Sequence, residues 1–376
     1  YYITNLTGKC VLILGYLSTG KNTHKMINSF YEYENIKNNM KAVYFEKLGS
    51  LEVLKYGDFP TPKPQKGEAL VRVKACALNH LDIWLRSAGS KVSLPHIIGS
   101  DVAGVIEEIN GETNLKVGDE IIVNPEQACG KCERCERSEA CEMVNLVARQ
   151  TNGGYAEYIT VSLEQVYLKP KNLSFVESAA FPLTFLTAYH ALKTRAGLKS
   201  GETIFVWGAS GSVGPAVIQI AKIIGAKVIA AVRSDEIGKE VKSWGADEII
   251  IYTKEPVVEK VKELTGGKGV EVVFESVGEK TFNDSLAMLK PYGRVVVIGA
   301  TSGEKVSFEL SQFYPQQLSI IGSRMGTKQE FEEVYKLLVE GKLKPIIDRT
   351  FPLEEAVSAQ KRMEESNHLG KIVLKI

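Results

Sequence analysis

No stretch of this chain approaches the ~18 consecutive apolar residues that a membrane-spanning helix needs. The apolar segment Cys10–Leu17 is short, and no cleavage signal follows it. An excess of charge is missing too. The 46 basic and 45 acidic residues leave a net +1, too little field to attract nucleic acid or an anionic membrane. There is no internal repeat and no low-complexity tract. Cysteine is scarce and uneven: of six in all, only Cys10 and Cys76 lie outside the stretch CGKCERCERSEAC, residues 129–141. That is no disulfide framework. In a reducing compartment such a cluster more often binds a metal than forms disulfides, and a cytoplasmic protein is the expectation.

What is present is enough apolar matter for real cores. A hydrophobic fraction of 44% over 376 residues fits two domains of ordinary size, with room for a third. Residues 1–39 stand apart. They are rich in Asn and Tyr, have no clean period, and are expected to form an extension outside the core fold, with Met40 as the natural start. Within them, VLILGYLSTGKNT has the look of a strand, GxxxxGK and a helix. Asn22 stands where a magnesium-binding hydroxyl belongs, and the pattern is read as a chance match.

From Met40 to about 177, alternating or short apolar runs sit between Gly, Asp and Asn: MKAVYFEKLG, EALVRVKACAL, DVAGVIEEI, GDEIIV and GGYAEYITV. They predict a compact, mostly antiparallel β unit. After 178 the rhythm changes. Apolar strands TIFVWG, KVIAAV, EIIIY, VEVVFES and GRVVVIG alternate with amphipathic helices such as GPAVIQIAKIIG. That pattern predicts a parallel sheet covered on both faces. One more helix, QEFEEVYKLLVEG, precedes a closing strand, GKIVLKI, that can rejoin the first unit.

The most specific signal is the turn between TIFVW and its helix. Gly208, Gly211 and Gly214 form a GxxGxxG series, with Ala209 where a second glycine is usual. Ser210, Ser212 and Val213 complete the turn. Such glycines let the chain bend sharply, approach a pyrophosphate and pack helix on strand, while the helix N-terminus offers free N–H groups. At the end of the next strand an acidic residue would hold the ribose hydroxyl of NAD. Arg233 and Ser234 stand there instead, which favours the 2′-phosphate of NADP(H) over NAD(H).

With these residues in hand, the chain from about 40 to 376 resembles the medium-chain dehydrogenase/reductase superfamily. The resemblance rests on ALNHLDIWLR, LPHIIGSDVAGVIEEI, GGYAEYI, AAFPLTFLTAYHAL, GASGSVG, GATSG and GKIVL. It implies an α/β architecture, a GroES-like β domain (40–177 and 323–376) with a Rossmann domain (178–322) between its parts. It also implies hydride transfer with a nicotinamide. In zinc-dependent members four loop cysteines hold a structural zinc, and Cys129, Cys132, Cys135 and Cys141 fall on that loop, with a shorter last gap than usual. The catalytic zinc ligands of those members are replaced by Asn79, Ser100, Asp101 and Leu183, although His80, Asp82 and Asp101 leave an improvised metal site open.

The quinone oxidoreductase and enone reductase branch also carries Asn at the position of Asn79. The resemblance therefore implies an NADPH-dependent reductase of quinones or α,β-unsaturated carbonyls. Its expected donor to the developing oxyanion is Asn79, with His80 as a second, Asp82 as an orienting group, and water as the proton source. It further implies Thr187 beside the nicotinamide, Gly299, Ala300 and Thr301 at its amide, Tyr252 by the adenosine, Lys371 at the pyrophosphate, and a homodimer or homotetramer. Two other readings stay open: a zinc alcohol dehydrogenase, and an NADPH-binding sensor or interaction protein with little turnover.

Overall fold

The computed structural model describes residues 39–376, except 88, 137–140 and 142–143 and the side chain of 136. The expected extension and its phosphate-loop-like pattern thus lie outside the described residues. The first strand, Asn39–Phe45, begins one residue before Met40 and pairs antiparallel with Lys55–Pro60.

A seven-stranded sheet forms most of the first unit. Its path runs Val166–Leu168, Glu120–Val123, Asp101–Asn110, Glu68–Ala77, Lys371–Lys375 and Ile347–Pro352, and Tyr158–Ser162 also pairs with Glu68–Ala77. All these pairings are antiparallel except Ile347–Pro352 against Lys371–Lys375. Alternate residues of Glu68–Ala77 turn inward, where Ala69, Val71 and Val73 are buried. This is the period-2 pattern of a strand with one solvated face. The closing strand rejoins the first unit through Val373 opposite Ala77 and Leu374 opposite Cys76, and that pairing builds one wall of the site.

The second unit is a six-stranded sheet, parallel throughout. Its order is Glu248–Ile251, Lys227–Val232, Thr203–Val206, Val270–Glu275, Leu289–Val297 and Ser319–Gly322. In chain order that is third, second, first, fourth, fifth, sixth, the Rossmann arrangement. Both faces are buried. Ile204, Val206, Ala230 and Phe274 enter one core, while Phe205, Ile229, Ala231 and Val273 enter the opposite one. Because neighbours along each strand face opposite ways, both sides must be apolar. This arrangement places the C-terminal ends of Thr203–Val206 and Val270–Glu275 side by side, at the point where strand order reverses and ligands bind. No helix among the described residues is long and apolar enough to cross a membrane.

Candidate active site

The site begins where Thr203–Val206 ends. Gly208 has φ +64°, and a Cβ there would lie 2.8 Å from Ser276 Oγ. At Gly214 a Cβ would lie 2.1 Å from the carbonyl oxygen of Ala209, so the helix Gly214–Ile224 can start this close to the strand only with glycine there. Ala209 itself is fully buried in the core, which explains why a methyl is accepted at the second position of the series. The helix has no side-chain cap at Val213. Pro215 has no N–H and Ala216 N bonds to Val213 O at 3.0 Å, so the Gly214 N–H and the positive end of the dipole are what the helix offers an anion.

One cavity of about 1580 Å³ runs from this turn to the first unit. That exceeds the roughly 300–1,000 Å³ of an ordinary small-molecule pocket and leaves room for two ligands. Gly208, Ser210, Gly211, Ser212, Val213, Gly214, Thr187, Tyr252, Gly299 and Thr301 line it. Ala209, Ala300, Arg233, Ser234 and Lys371 do not. Ala300 lies under the wall, where a Cβ on Gly278 would come within 3.0 Å of it. Ser276 and Val277, in the turn ESVG expected near the cofactor, also line the cavity, as do Lys280, Ile298 and His368, which nothing in their sequence context singled out.

Glu275 braces the floor. It is fully buried and accepts from Val277 N (2.7 Å), Gly278 N (3.0 Å), Thr281 Oγ1 (2.9 Å) and Ser285 Oγ (2.6 Å). A buried carboxylate is tolerable when it is satisfied to this degree. Ser285 in turn accepts from Trp207 Nε1 at 3.0 Å, which fixes the start of the turn. His368 stands 3.4 Å from Ser212 Oγ through Nε2, and burial pushes its pKa down to about 4.

At the outer end, Arg233 is half-buried and its guanidinium donates to Asn367 Oδ1. Ser234 is occupied differently from expectation. Its Oγ caps the helix Asp235–Ser243, accepting from Ile237 N at 3.5 Å. Asp235, the nearest carboxylate, is paired with Lys254.

At the inner end lies a buried polar cluster. Asn79 precedes the helix His80–Arg86 and lines the cavity, although only 3% of its surface is exposed. Its Nδ2 donates to Asp101 Oδ2 at 2.9 Å, and its Oδ1 accepts from Lys371 Nζ at 2.7 Å. Lys371 Nζ also donates to Leu78 O (2.6 Å) and Asp101 Oδ2 (2.9 Å). Asp101 Oδ1 accepts from Leu183 N at 2.8 Å. The expected position of Lys371 at the pyrophosphate is therefore corrected. Its ammonium is 2% exposed and points under the acceptor end of the site.

Asp82 lies behind this cluster. It is fully buried and accepts from Asn79 N (2.9 Å), Gly99 N (3.2 Å) and Tyr155 OH (3.1 Å). Burial raises its pKa to about 6, against the lowering effect of Asn79 N–H and of Lys371. Its geometry ties loops together. His80 faces the cavity with its ring edge-on to Trp84 at 5.1 Å, and burial lowers its pKa. His80, Asp82 and Asp101 do not converge. Among the described residues the cysteines form the one group of three or more side chains placed so that they could hold a metal ion.

In that group the sulfurs of Cys129, Cys132, Cys135 and Cys141 all lie within 4.8 Å of one another. Three of the separations are 3.9, 3.5 and 3.9 Å. Four thiolates at ~2.3 Å from a tetrahedral zinc would stand about 3.8 Å apart. The shortened last gap is thus no obstacle to closing the set.

A Rossmann sheet with an uncapped helix at its switch point, opening on a cavity shared with a β domain, defines a dinucleotide-dependent oxidoreductase. The chain matches the zinc-binding dehydrogenase family over residues 212–340 and the alcohol dehydrogenase GroES-like domain over residues 65–171. Quinone oxidoreductase of Pongo abelii is 33% identical, covering 89% of this chain and 97% of the relative. Acryloyl-coenzyme A reductase of Sulfurisphaera tokodaii is 32% identical, covering 89% and 100%. The crystal structure of an NAD-dependent alcohol dehydrogenase superposes with a TM-score of 0.87 at 38% identity, covering 90% and 100%. The chain belongs to the medium-chain dehydrogenase/reductase superfamily, in its quinone oxidoreductase-like part, and is an NAD(P)H-dependent oxidoreductase.

Proposed function

We propose that the protein reduces a quinone or an α,β-unsaturated carbonyl compound with NADPH, using hydrogen-bond donors at the acceptor. The observation that carries this reading is the state of Asp101. It is the one carboxylate among Asn79, Ser100, Asp101 and Leu183, and its Oδ2 is taken by the Lys371 ammonium at 2.9 Å and its Oδ1 by Leu183 N at 2.8 Å. Ser100 is likewise engaged, donating to Val147 O at 2.8 Å. This donor set does not suit a zinc ion, which wants several nitrogen or sulfur ligands.

The glycine turn and the free helix N-terminus fit a dinucleotide pyrophosphate. The bound nicotinamide supplies a hydride, that is, one hydrogen nucleus and two electrons. The chain does the rest. Thr187, Gly299 and Thr301 line the cavity where they can orient the ring. Asn79 presents an amide N–H to the oxygen on which charge develops, and such donors typically contribute about 10²–10³-fold in rate. Leu81, Trp84, Leu85, Leu146 and Leu183 supply apolar walls. Water provides the final proton. An acceptor conjugated to a carbonyl takes a hydride onto carbon and spreads the charge to oxygen, so a neutral donor suffices.

Arg233 supports the choice of NADPH, since a guanidinium held at the strand end pairs with a 2′-phosphate. The cysteine group supports one structural zinc, a closed site with no open position for substrate. We divide the chain into a catalytic domain (40–177 and 323–376) and a cofactor domain (178–322), and read it as a cytoplasmic homodimer or homotetramer.

The test is a panel of quinones, enones and simple alcohols with NADPH and NADH, run beside metal analysis. Turnover of enones or quinones with NADPH and one zinc per chain are expected. Arg233→Ala should raise the KM for NADPH by about 10- to 100-fold, the worth of a charge-assisted pair, and leave that for NADH unchanged. Two metals per chain with alcohol oxidation would favour the alcohol dehydrogenase reading. Tight NADPH binding without turnover would favour a sensor.

A further inference from the structure

We propose that Lys371 is a positioning residue that locks the Asn79 side chain in the one orientation that turns an N–H, and not the carbonyl, toward the acceptor. The inference rests on the function proposed above and deepens it. An asparagine amide has two ends of similar shape and opposite hydrogen-bonding character. Free to rotate, Asn79 would spend part of its time presenting an oxygen to a substrate oxygen that is gaining negative charge.

The chemistry of its neighbours removes that freedom. An ammonium only donates and a carboxylate only accepts. Lys371 Nζ at 2.7 Å therefore fixes the oxygen of Asn79, and Asp101 Oδ2 at 2.9 Å fixes its nitrogen. A flipped amide would face N–H to ammonium and oxygen to carboxylate, so each buried charge would lose one hydrogen bond and meet a repulsive dipole, although the two keep each other, Leu78 O and Leu183 N. All three protons of the ammonium are spent, on Leu78 O, Asn79 Oδ1 and Asp101 Oδ2. The pair is sealed: Asp101 is 0% and Lys371 2% exposed. One N–H of Asn79 Nδ2 goes to Asp101. The second has no partner among the described residues, and Asn79 lines the cavity.

The register of the last strand makes this possible. Lys371 opens the strand Lys371–Lys375, whose Val373 lies opposite Ala77. Ala77 is two residues before Asn79, so a lysine at the strand's first position reaches the loop that carries the amide.

The experiment is a double-mutant cycle between Lys371→Met and Asn79→Leu. Lys371→Met should lower kcat measurably, by no more than the about 10²-fold that outright loss of an oxyanion donor costs, while the KM for NADPH stays within about twofold. In the Asn79→Leu background the same substitution should cost almost nothing further, because the group it orients is gone. A purely structural lysine would give losses that multiply, and that outcome overturns the proposal. Lys371→Met leaves Asp101 buried without its partner, which can unfold the protein. Lys371→Met with Asp101→Leu removes both charges. With its fold checked by thermal unfolding and its cofactor affinity by NADPH fluorescence, it should show the same loss of kcat. Wild-type kcat in that variant would refute the lock. No turnover by the wild type on any quinone or enone would refute the proposed function itself, whereas wild-type turnover that Lys371→Met leaves intact would refute the lock alone.

Discussion

At the scale of single residues, the chemistry of this protein is decided by what buried groups are paired with. Asn79 was legible as a site residue because it replaces a metal ligand of the resembling family. Lys371 was legible only as a charge near the end of the chain, and its expected partner was the wrong one. A lysine in GKIVL carries no mark that says whether its ammonium faces a cofactor or a carboxylate. His368 illustrates the same limit. It is a lone histidine in a polar segment, yet it stands against the glycine turn, and burial holds its pKa at about 4, well below its ordinary 6.5. Asp348 opposes this shift, while Arg362, Lys371 and His80 reinforce it. Between those pH values the unfolded chain takes up a proton that the folded chain refuses. Stability therefore falls with acid, by about 1.4 kcal/mol per pH unit, and the effect vanishes above the ordinary value. His368→Gln should lose about 2 kcal/mol less than the wild type between pH ~7.5 and ~4.5 in urea unfolding. Equal losses would show that burial does not hold this ring neutral.

At the scale of elements, the strands of both units were read from period and flanking residues, because apolar alternation and buried runs are local consequences of which face meets the core. Short helices were not. His80–Arg86 has too few turns to show a 3.6-residue period. Its one sequence signal, Asn79 followed by Asp82 three residues later, resembles a capping box, with Asp82 accepting from Asn79 N at 2.9 Å. Those residues were read for chemistry instead, and the structure gives Asp82 to both the helix start and the loops around it. The helix Gly214–Ile224 is the element on which the proposed cofactor binding rests. Gly214→Ala puts a methyl 2.1 Å from the Ala209 carbonyl, so strand and helix must separate. A loss of about 1–3 kcal/mol is expected in thermal or denaturant unfolding, the usual cost of overpacking, together with weaker NADPH binding by fluorescence titration. Unchanged affinity would mean that the helix does not carry the phosphates.

At the scale of the whole molecule, the outermost strand of the parallel sheet, Ser319–Gly322, pairs on one side only among the described residues. Ile320 on it is 40% exposed, and Tyr292, Leu310 and Tyr314 are 67%, 65% and 70% exposed. A bare edge with apolar neighbours invites pairing with a second copy. If the proposed homodimer or homotetramer forms through this edge, Ile320→Lys should lower the sedimenting mass relative to the wild type while leaving NADPH affinity intact. A wild-type protein that sediments as a monomer would remove this edge from consideration. The sequence by itself determined the two kinds of sheet, the glycine turn and the four clustered cysteines, because each is written in neighbouring residues: a period, a glycine spacing, a run of thiols. Only the tertiary structure decided what lies beneath the acceptor. Lys371 and Asp101 are 270 positions apart in the chain, and they meet because the last strand returns to pair with Glu68–Ala77. A buried charge takes whichever partner the fold brings within reach, and that choice depends on strand register, which no local pattern records.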